Sequence, residues 1–477
     1  MQEIRNLNTN SCNMLGKLPP HTDQADLFRS RLTSIINLNH PLVVLANQIN
    51  WRGIESDLAH LYSDEGRPSI PIRSISSVLI LKHMFNESDE SVIDRWIENP
   101  YWQYFSGEEY FQNEQPFDPS EFVHFRKRIG EKGLESILSY TVRLHTHAEI
   151  EKEVQIDTTV QEKNITFPTD AKLARKIIQK CLSIAAVEGI EVRQSYRRVV
   201  KQLMKDQYNG KHPSRIKKAR KAIRKLKTIA GRLVRELKRK IHPDFFPKHA
   251  LMIDRCEKIL NQKRNDKNKI YSLHEPHVSC IAKGKAHKQY EFGNVVAIVK
   301  GAKSGVITAV KSFQGNPHDS RTLDQTLEQS TRVRIQAGGY SATHAVVDRG
   351  FRGIKEVNGV TICIPDARKH KTAYEKAKAR KRFRGRASIE PVISHLKYDN
   401  RMIRNYLKGI EGNINNALLA AIGFNLRKKL NKIKAEIAFL WNSFINSIRF
   451  IIQVDLQLSL NNSSRHLAIQ LDGVSRF

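Results

Sequence analysis

The sequence predicts an α/β protein in which an all-helical segment precedes the strands and a long basic helical segment interrupts them. Three observations carry this. Two short β-branched, apolar runs, one from Val154 to Val160 and one closing on Val347, each hold or adjoin a single Asp. Alternating segments broken by Gly293, Gly301 and Gly305 read as antiparallel strands between His277 and Phe313. Apolar residues at helical spacing fill most of the remainder.

In order, residues 1 to about 22 are polar and unpatterned and are expected to be loose. From Gln24 to Tyr62 two amphipathic helices are expected, with the break at Asn39 to Pro41. A helix over Ser74 to Phe85 follows, then helical segments through ESDESVIDRWIENPYWQYF, then DPSEFVHFRKRIG, closed by Gly130 and capped by Asp118 or Ser120. Such a helical module binds DNA in the helix-turn-helix manner, with Arg126, Lys127 and Arg128 as phosphate contacts, or serves as a scaffold or dimerisation domain. The strand VQIDTTV places one carboxylate, Asp157, where an acid is unfavourable unless paired or bound to a cation.

From Asp170 to about Ile270 the pattern is helical and strongly basic. Between Lys211 and Lys240 stand fourteen Lys or Arg and one acid, Glu236, with apolar residues at Ile216, Ile223, Leu226, Ile229, Leu233 and Leu237. A run of one sign repels itself without a partner, so Lys217, Lys218, Arg220, Lys221, Arg224 and Lys225 are candidate DNA-backbone contacts. After an antiparallel meander (VSCIAKG, KQYEFGNVVAIVKG, GVITAVKSF), the turn GNPHDS leads into a helix. His318 and Asp319 in that turn are open to a site role, although a polar turn needs none. The strand THAVV then runs into Asp348, Arg349 and Gly350, and an acid at the carboxyl end of an apolar strand is a common site position. A further strand, Val360 to Ile364, is followed by a basic loop (Arg368 to Arg386) and a helix with Glu390 in its first turn. Pro391 is tolerated there, and Ser388 is the expected N-cap. Glu390 and Lys397 lie two helical turns apart and share a face. Gly412 to Leu430 is an apolar helix ending in Arg427, Lys428 and Lys429, and the pattern beyond it assigns no element.

Length and composition bound the reading. At 477 residues the chain accommodates two or three domains. Eighty Lys plus Arg against 48 Asp plus Glu give a net charge of +32, which favours a polyanionic partner such as nucleic acid over an anionic membrane surface. Five scattered cysteines without a CxxC pair exclude a zinc finger or disulfide framework and suit a reducing cytosol. No basic segment followed by an apolar one opens the sequence, so a secretory signal is not expected. The apolar stretch from Ile437 to Ile452 is short and interrupted by Asn442, Asn446 and Arg449, so it is expected to be a packing helix.

Asp157, Asp348 and Glu390 are 191 and 42 residues apart. If they converge, each pair at about 4 Å repels by about 4 kcal/mol at an effective dielectric of 20. Bound cations relieve this, and all-oxygen donors select Mg²⁺ or Mn²⁺. Here the sequence resembles the DDE transposases of bacterial insertion sequences, in the insertion sequence five branch and its relatives. The family's C-terminal signature, Tyr, two residues, Arg, three residues, Glu, six residues, Lys, reads Phe383, Arg386, Glu390, Lys397. Its second motif reads DRGF from Asp348 to Phe351, and its first reads IDTT at Asp157. The helical module from about residue 25 also resembles that branch's N-terminal domain.

The resemblance implies an RNase H-like core, a mixed five-stranded sheet with helices, over 151–170 and 271–432. The basic block 171–270 would be inserted after the first strand, a helical DNA-binding or dimerisation domain would span 23–150, and 433–477 would form a tail. It implies two metal ions, about 3.5 to 4 Å apart, held by Asp157, Asp348 and Glu390. With them come cleavage of transposon ends and attack of the freed 3′-OH on target DNA. Arg386, Lys397 and Arg349 would hold phosphates, the active complex would be a homodimer on DNA, and the location would be cytoplasmic, at the bacterial nucleoid. Phe383 and Phe351 stand where the family has Tyr; their rings could stack on a base but cannot donate a hydroxyl. Two readings compete: a metal-dependent nuclease on the same core without strand transfer, and a non-cleaving DNA-binding derivative.

Overall fold

The strand-forming runs carry their β-branched residues at the positions that pack, and in the computed structural model they meet in one mixed sheet. The structure describes residues 30–474 apart from 64, 67, 146, 209, 211, 264, 283–288 and 366–371. The loose segment expected over 1–22, and the start of the helix expected from Gln24, lie outside them. The chain divides into two units, Met1–Phe122 with Gly423–Phe477, and Val123–Ile422.

In the first unit, α1 (Leu32–Ile35), α2 (Pro41–Gln48), α3 (Trp51–Ala59), α4 (Ile72–Phe85), α5 (Asp89–Glu98) and α6 (Pro100–Ser106) follow in order. The single helix expected across Asn39 to Tyr62 is two, because the Asn50 side chain accepts from the Gly53 N–H at 3.0 Å and restarts the helix. Ser88 and Ser91 form a reciprocal capping box on α5. Trp51, Trp96, Trp102 and Phe105 are buried. The helix expected over 412–430 is part of a much longer one, Gly409–Val474, whose residues from Gly423 belong to this unit. Its Arg427, Lys428 and Lys429 do not stop it, since both residue types favour helix and no Gly or Pro follows before Gly473. Leu426, Leu430 and Ile433 on it are buried, but Phe439, Trp441, Phe444 and Phe450 are exposed, so 437–452 is not the packing helix expected.

In the second unit, α7 (Glu121–Arg143) does not end at Gly130. That residue, at φ 57°, is a kink between two helical segments. The second segment is tied to the sheet unit: Glu131 accepts from Lys311, and Glu135 from Gln329 and Arg332. This is why residues 123–150 group with the sheet. Of the three expected phosphate contacts on this helix, Arg126 is 5% exposed and so unavailable, while Lys127 is exposed.

The strands are β1 (Glu153–Lys163), β2 (Ser279–Ala282), β3 (Tyr290–Gly301), β4 (Ile307–Phe313), β5 (His344–Val346), β6 (Glu356–Val357), β7 (Val360–Cys363) and β8 (Arg404–Asn405). They form an eight-stranded sheet among the described residues rather than the five-stranded one expected; β2, β6 and β8 are the short additions. Antiparallel pairing runs β4–β3–β1 and parallel pairing runs β1–β5–β7. The expected meander is not one. Gly293 of β3 pairs with both Glu162 and Ser279, so β2 and β4 share the edge of β3 that faces away from β1. Val154, Ile156, Val299, Leu323, Leu327, Val347 and Phe351 form the core beneath the sheet. Between β1 and β2 lie helices at Asp170–Val187, Arg197–Asp206, Ile216–Lys240 and Phe246–Asn261, numbered α8 to α11. They close on their own apolar core, to which the third helix gives Leu226, Ile229, Leu233 and Leu237, as its periodicity predicts. Next come α12 (Leu323–Gln336), α13 (Ala373–Arg386) and α14 (Ile389–Tyr398); α15 is the long C-terminal helix, Gly409–Val474.

The β1–β3 pairing depends on Gly293, where an added Cβ would lie 1.9 Å from the Gln161 carbonyl oxygen. Gly293→Ala is therefore expected to cost about 1–3 kcal/mol, read as a lower Tm in thermal denaturation; an unchanged Tm would show that the two strands separate freely there.

Candidate active site

The register of β1 against β5 brings the two predicted aspartates together. Glu153, Val154 and Gln155 pair with His344, Ala345 and Val346, a constant offset of 191 residues. Asp157 and Asp348 keep that offset, two residues beyond the last pair. Asp157 is therefore opposite Asp348 at the carboxyl end of a parallel pair.

The two acids converge on one cation. Arg386 Nη2 is 3.3 Å from Asp157 Oδ2 and 3.6 Å from Asp348 Oδ2. The other oxygen of each acid is held by backbone: Asp157 Oδ1 accepts from the Thr158 N–H at 2.8 Å, and Asp348 Oδ1 from the Gly350 N–H at 2.8 Å. Two carboxylates against one guanidinium nitrogen repel each other by about 2–4 kcal/mol at an effective dielectric of 20, and Arg386 offsets this. Burial pushes the Asp157 carboxyl above the usual carboxylate range. Arg386 and the Thr158 N–H pull it down in part, while the charges of Asp348 and Asp319 add to the rise.

Arg386, expected in a loop, is instead the last residue of α13, which begins with a Thr372–Glu375 capping box and carries an Arg382–Glu153 ion pair at 2.8 Å that fastens it to β1. Its guanidinium lies on carboxylates, not free for a phosphate. Ser388 occupies the N-cap position of α14 but makes no cap hydrogen bond. Its hydroxyl donates to Gln155 Oε1 at 3.0 Å and accepts from Lys300 Nζ at 2.8 Å, which pins the start of α14 to β1 and β3. Lys300 is 2% exposed. The isolated Lys in VVAIVKG is the signal that could have found it.

Glu390 sits two residues past that anchor, in the first turn of α14, and is exposed. Among the described residues no three His, Cys, Asp or Glu side chains stand together as a metal site, so Glu390 is not joined to the two aspartates here. Lys397 follows on α14, half-buried, and Arg349 is exposed beside Asp348. Phe351 is fully buried in the core under the sheet, so its ring packs there rather than stacking on a base. Phe383, on α13, is half-buried. Away from this centre, Lys217, Lys218, Arg220, Lys221, Arg224 and Lys225 are all exposed along α10, opposite its apolar stripe. Glu236, the one acid of that run, is turned inward, accepting from the Arg193 N–H at 2.8 Å and Lys240 Nζ at 2.9 Å.

Two family models match the chain. One described as "Transposase DDE domain" covers residues 266–426, and one described as "Transposase domain" covers residues 30–128. A Rhizobium meliloti protein described as "Uncharacterized protein ORF8 in nfe locus" is 44% identical over 187 residues, which is 38% of this chain and 90% of that protein. No solved structure matches.

The Asp157 environment makes a pH-dependent prediction. A carboxyl whose folded pKa is raised gives its most favourable contribution below the unfolded value, near 3.9, and loses it as pH rises through the folded one. In metal-free protein, Asp157→Asn is expected to raise Tm at neutral pH and to leave it unchanged below about pH 3.9. A lower Tm at pH 7 would show that the Arg386 pairing outweighs burial.

Proposed function

The chain belongs to the DDE transposases, and from that premise we propose that it binds the ends of its insertion sequence, cuts them, and joins the freed 3′-OH to target DNA. The observation that carries this reading is the convergence of Asp157 and Asp348 on one cationic nitrogen at the carboxyl end of a parallel strand pair. Divalent metals serve this family. The donors present suit Mg²⁺ or Mn²⁺, since two carboxylate oxygens already face one point, taken in this structure by a guanidinium. Asp157, Asp348 and Glu390 would hold two such ions, which supply an activated water and neutralise charge on the phosphate.

The chain's own residues do the rest. The Thr158 and Gly350 N–H groups fix one oxygen of each aspartate and leave the other directed into the site. The Lys300–Ser388–Gln155 network ties Ser388, two residues before Glu390, to β1 and β3. Arg386, released from the carboxylates, would clamp a phosphate and offset charge developing on it. Lys397 and Arg349 would grip neighbouring phosphates. The exposed cationic face of α10 would follow the DNA backbone without reading sequence.

We read the sheet as an RNase H-like core, which the strand order β4–β3–β1–β5–β7 with antiparallel then parallel pairing supports. The α8 to α11 block is then an insertion between its first two strands, and the active complex a homodimer on DNA.

Asp348→Ala is expected to abolish Mg²⁺-dependent cleavage of DNA carrying the element's ends while leaving gel-shift binding within about threefold; full cleavage by this variant would overturn the site assignment. Replacing Lys217, Lys221, Arg224 and Lys225 by Ala is expected to weaken binding to all duplexes alike. It should also flatten the log K against log salt plot by about 0.9 for each phosphate that the variant no longer neutralises. An unchanged slope would remove α10 from the interface.

A further inference from the structure

Asp319, in the short turn Asp319–Thr322 that leads into α12, is drawn into the centre from 161 residues away. Its Oδ1 accepts the Thr158 hydroxyl hydrogen at 2.8 Å. Thr158 is thereby held at both ends, since its N–H is the group that fixes Asp157. The second oxygen of Asp319 lies beside Gly350, as does Asp348 Oδ1. A Cβ placed on Gly350 would lie 2.8 Å from Asp319 Oδ2 and 2.9 Å from Asp348 Oδ1, so both carboxylates crowd the one Cα that has no side chain. The glycine of DRGF is explained by this approach: any side chain there would displace one or both acids. The turn itself is well built, with the His318 ring accepting from the Ser320 N–H and the Thr322 hydroxyl donating to the Asp319 carbonyl at 2.7 Å. Asp319 is thus a fixed point rather than a swinging side chain.

We propose that Asp319 is a further acid of this centre, a positioning residue that holds Asp157 through Thr158. The inference rests on Asp157 and Asp348 being the metal-holding acids. Supporting groups of this kind carry 10- to 100-fold effects when removed.

The test uses the full chain and four variants: Asp319→Ala, Thr158→Val, the two combined, and Asp319→Asn. Two measurements are made on each, Mn²⁺ affinity by electron paramagnetic resonance titration and the rate of end cleavage, with Tm as a folding control. Asp319→Ala and Thr158→Val should each weaken Mn²⁺ binding and slow cleavage by about 10- to 100-fold, with the KM for DNA unchanged. The double variant should be no worse than the worse single one, because both act through one hydrogen bond. Asp319→Asn should recover most of the loss, since its amide oxygen still accepts from Thr158. Additive losses, an Asp319→Asn variant as impaired as Asp319→Ala, or a lowered Tm with Mn²⁺ affinity intact would each overturn the proposal. A wild-type chain that cuts no end DNA yet shows this Mn²⁺ pattern would overturn the transposase reading and leave the positioning role standing.

Discussion

The site depends on like charges being held together by a single guanidinium. Asp157 on β1 and Asp348 just past β5 continue the register of a parallel strand pair, and nothing in the strand pairing itself relieves their repulsion. Arg386 does so from the end of α13, within 3.6 Å of both. That helix is fastened to the start of β1 by Arg382 and Glu153, so its end is placed by the strand that carries Asp157. A divalent cation bound there would offer the same two carboxylates twice the charge of the guanidinium.

Around this centre the fold spends buried polar groups where an ordinary core would use apolar ones. Lys300 is enclosed in the sheet and reaches Ser388. Lys163, further along β1, is 3.4 Å from Glu275 and 2.7 Å from the Asn413 side chain. Buried charges of this kind are costly unless every partner is present. They link β1 and β3 to Ser388 at the start of α14, and β1 to Asn413 of α15.

Much of this is legible in the residues. Asp157 and Asp348 stand out because a lone acid in or after a β-branched apolar strand has to be explained, and the α10 stripe follows from its spacing. Asp319 does not stand out, because Asp is an ordinary turn residue and its partner Thr158 is 161 positions away. Ser388 reads as a cap from local sequence, but its hydroxyl goes to Gln155 and Lys300, distant residues that no local pattern shows. The helix expected over Asn39 to Tyr62 splits at Asn50, where a side chain competes with the backbone. The long α15 is not legible past Leu430 because its apolar side chains Phe439, Leu440, Trp441, Phe444 and Phe450 are exposed, and without a buried face there is no periodicity to read.

Glu390 is the acid whose membership rests on its spacing from Arg386 and Lys397 rather than on a contact. The most direct test of a shared three-carboxylate metal site is therefore a Mn²⁺ titration of metal-free full chain, followed calorimetrically, for wild type, Asp157→Asn, Asp348→Asn and Glu390→Gln. Saturable binding weakened by all three substitutions is expected. Binding that is lost with either aspartate but untouched by Glu390→Gln would contradict it and leave a two-aspartate site.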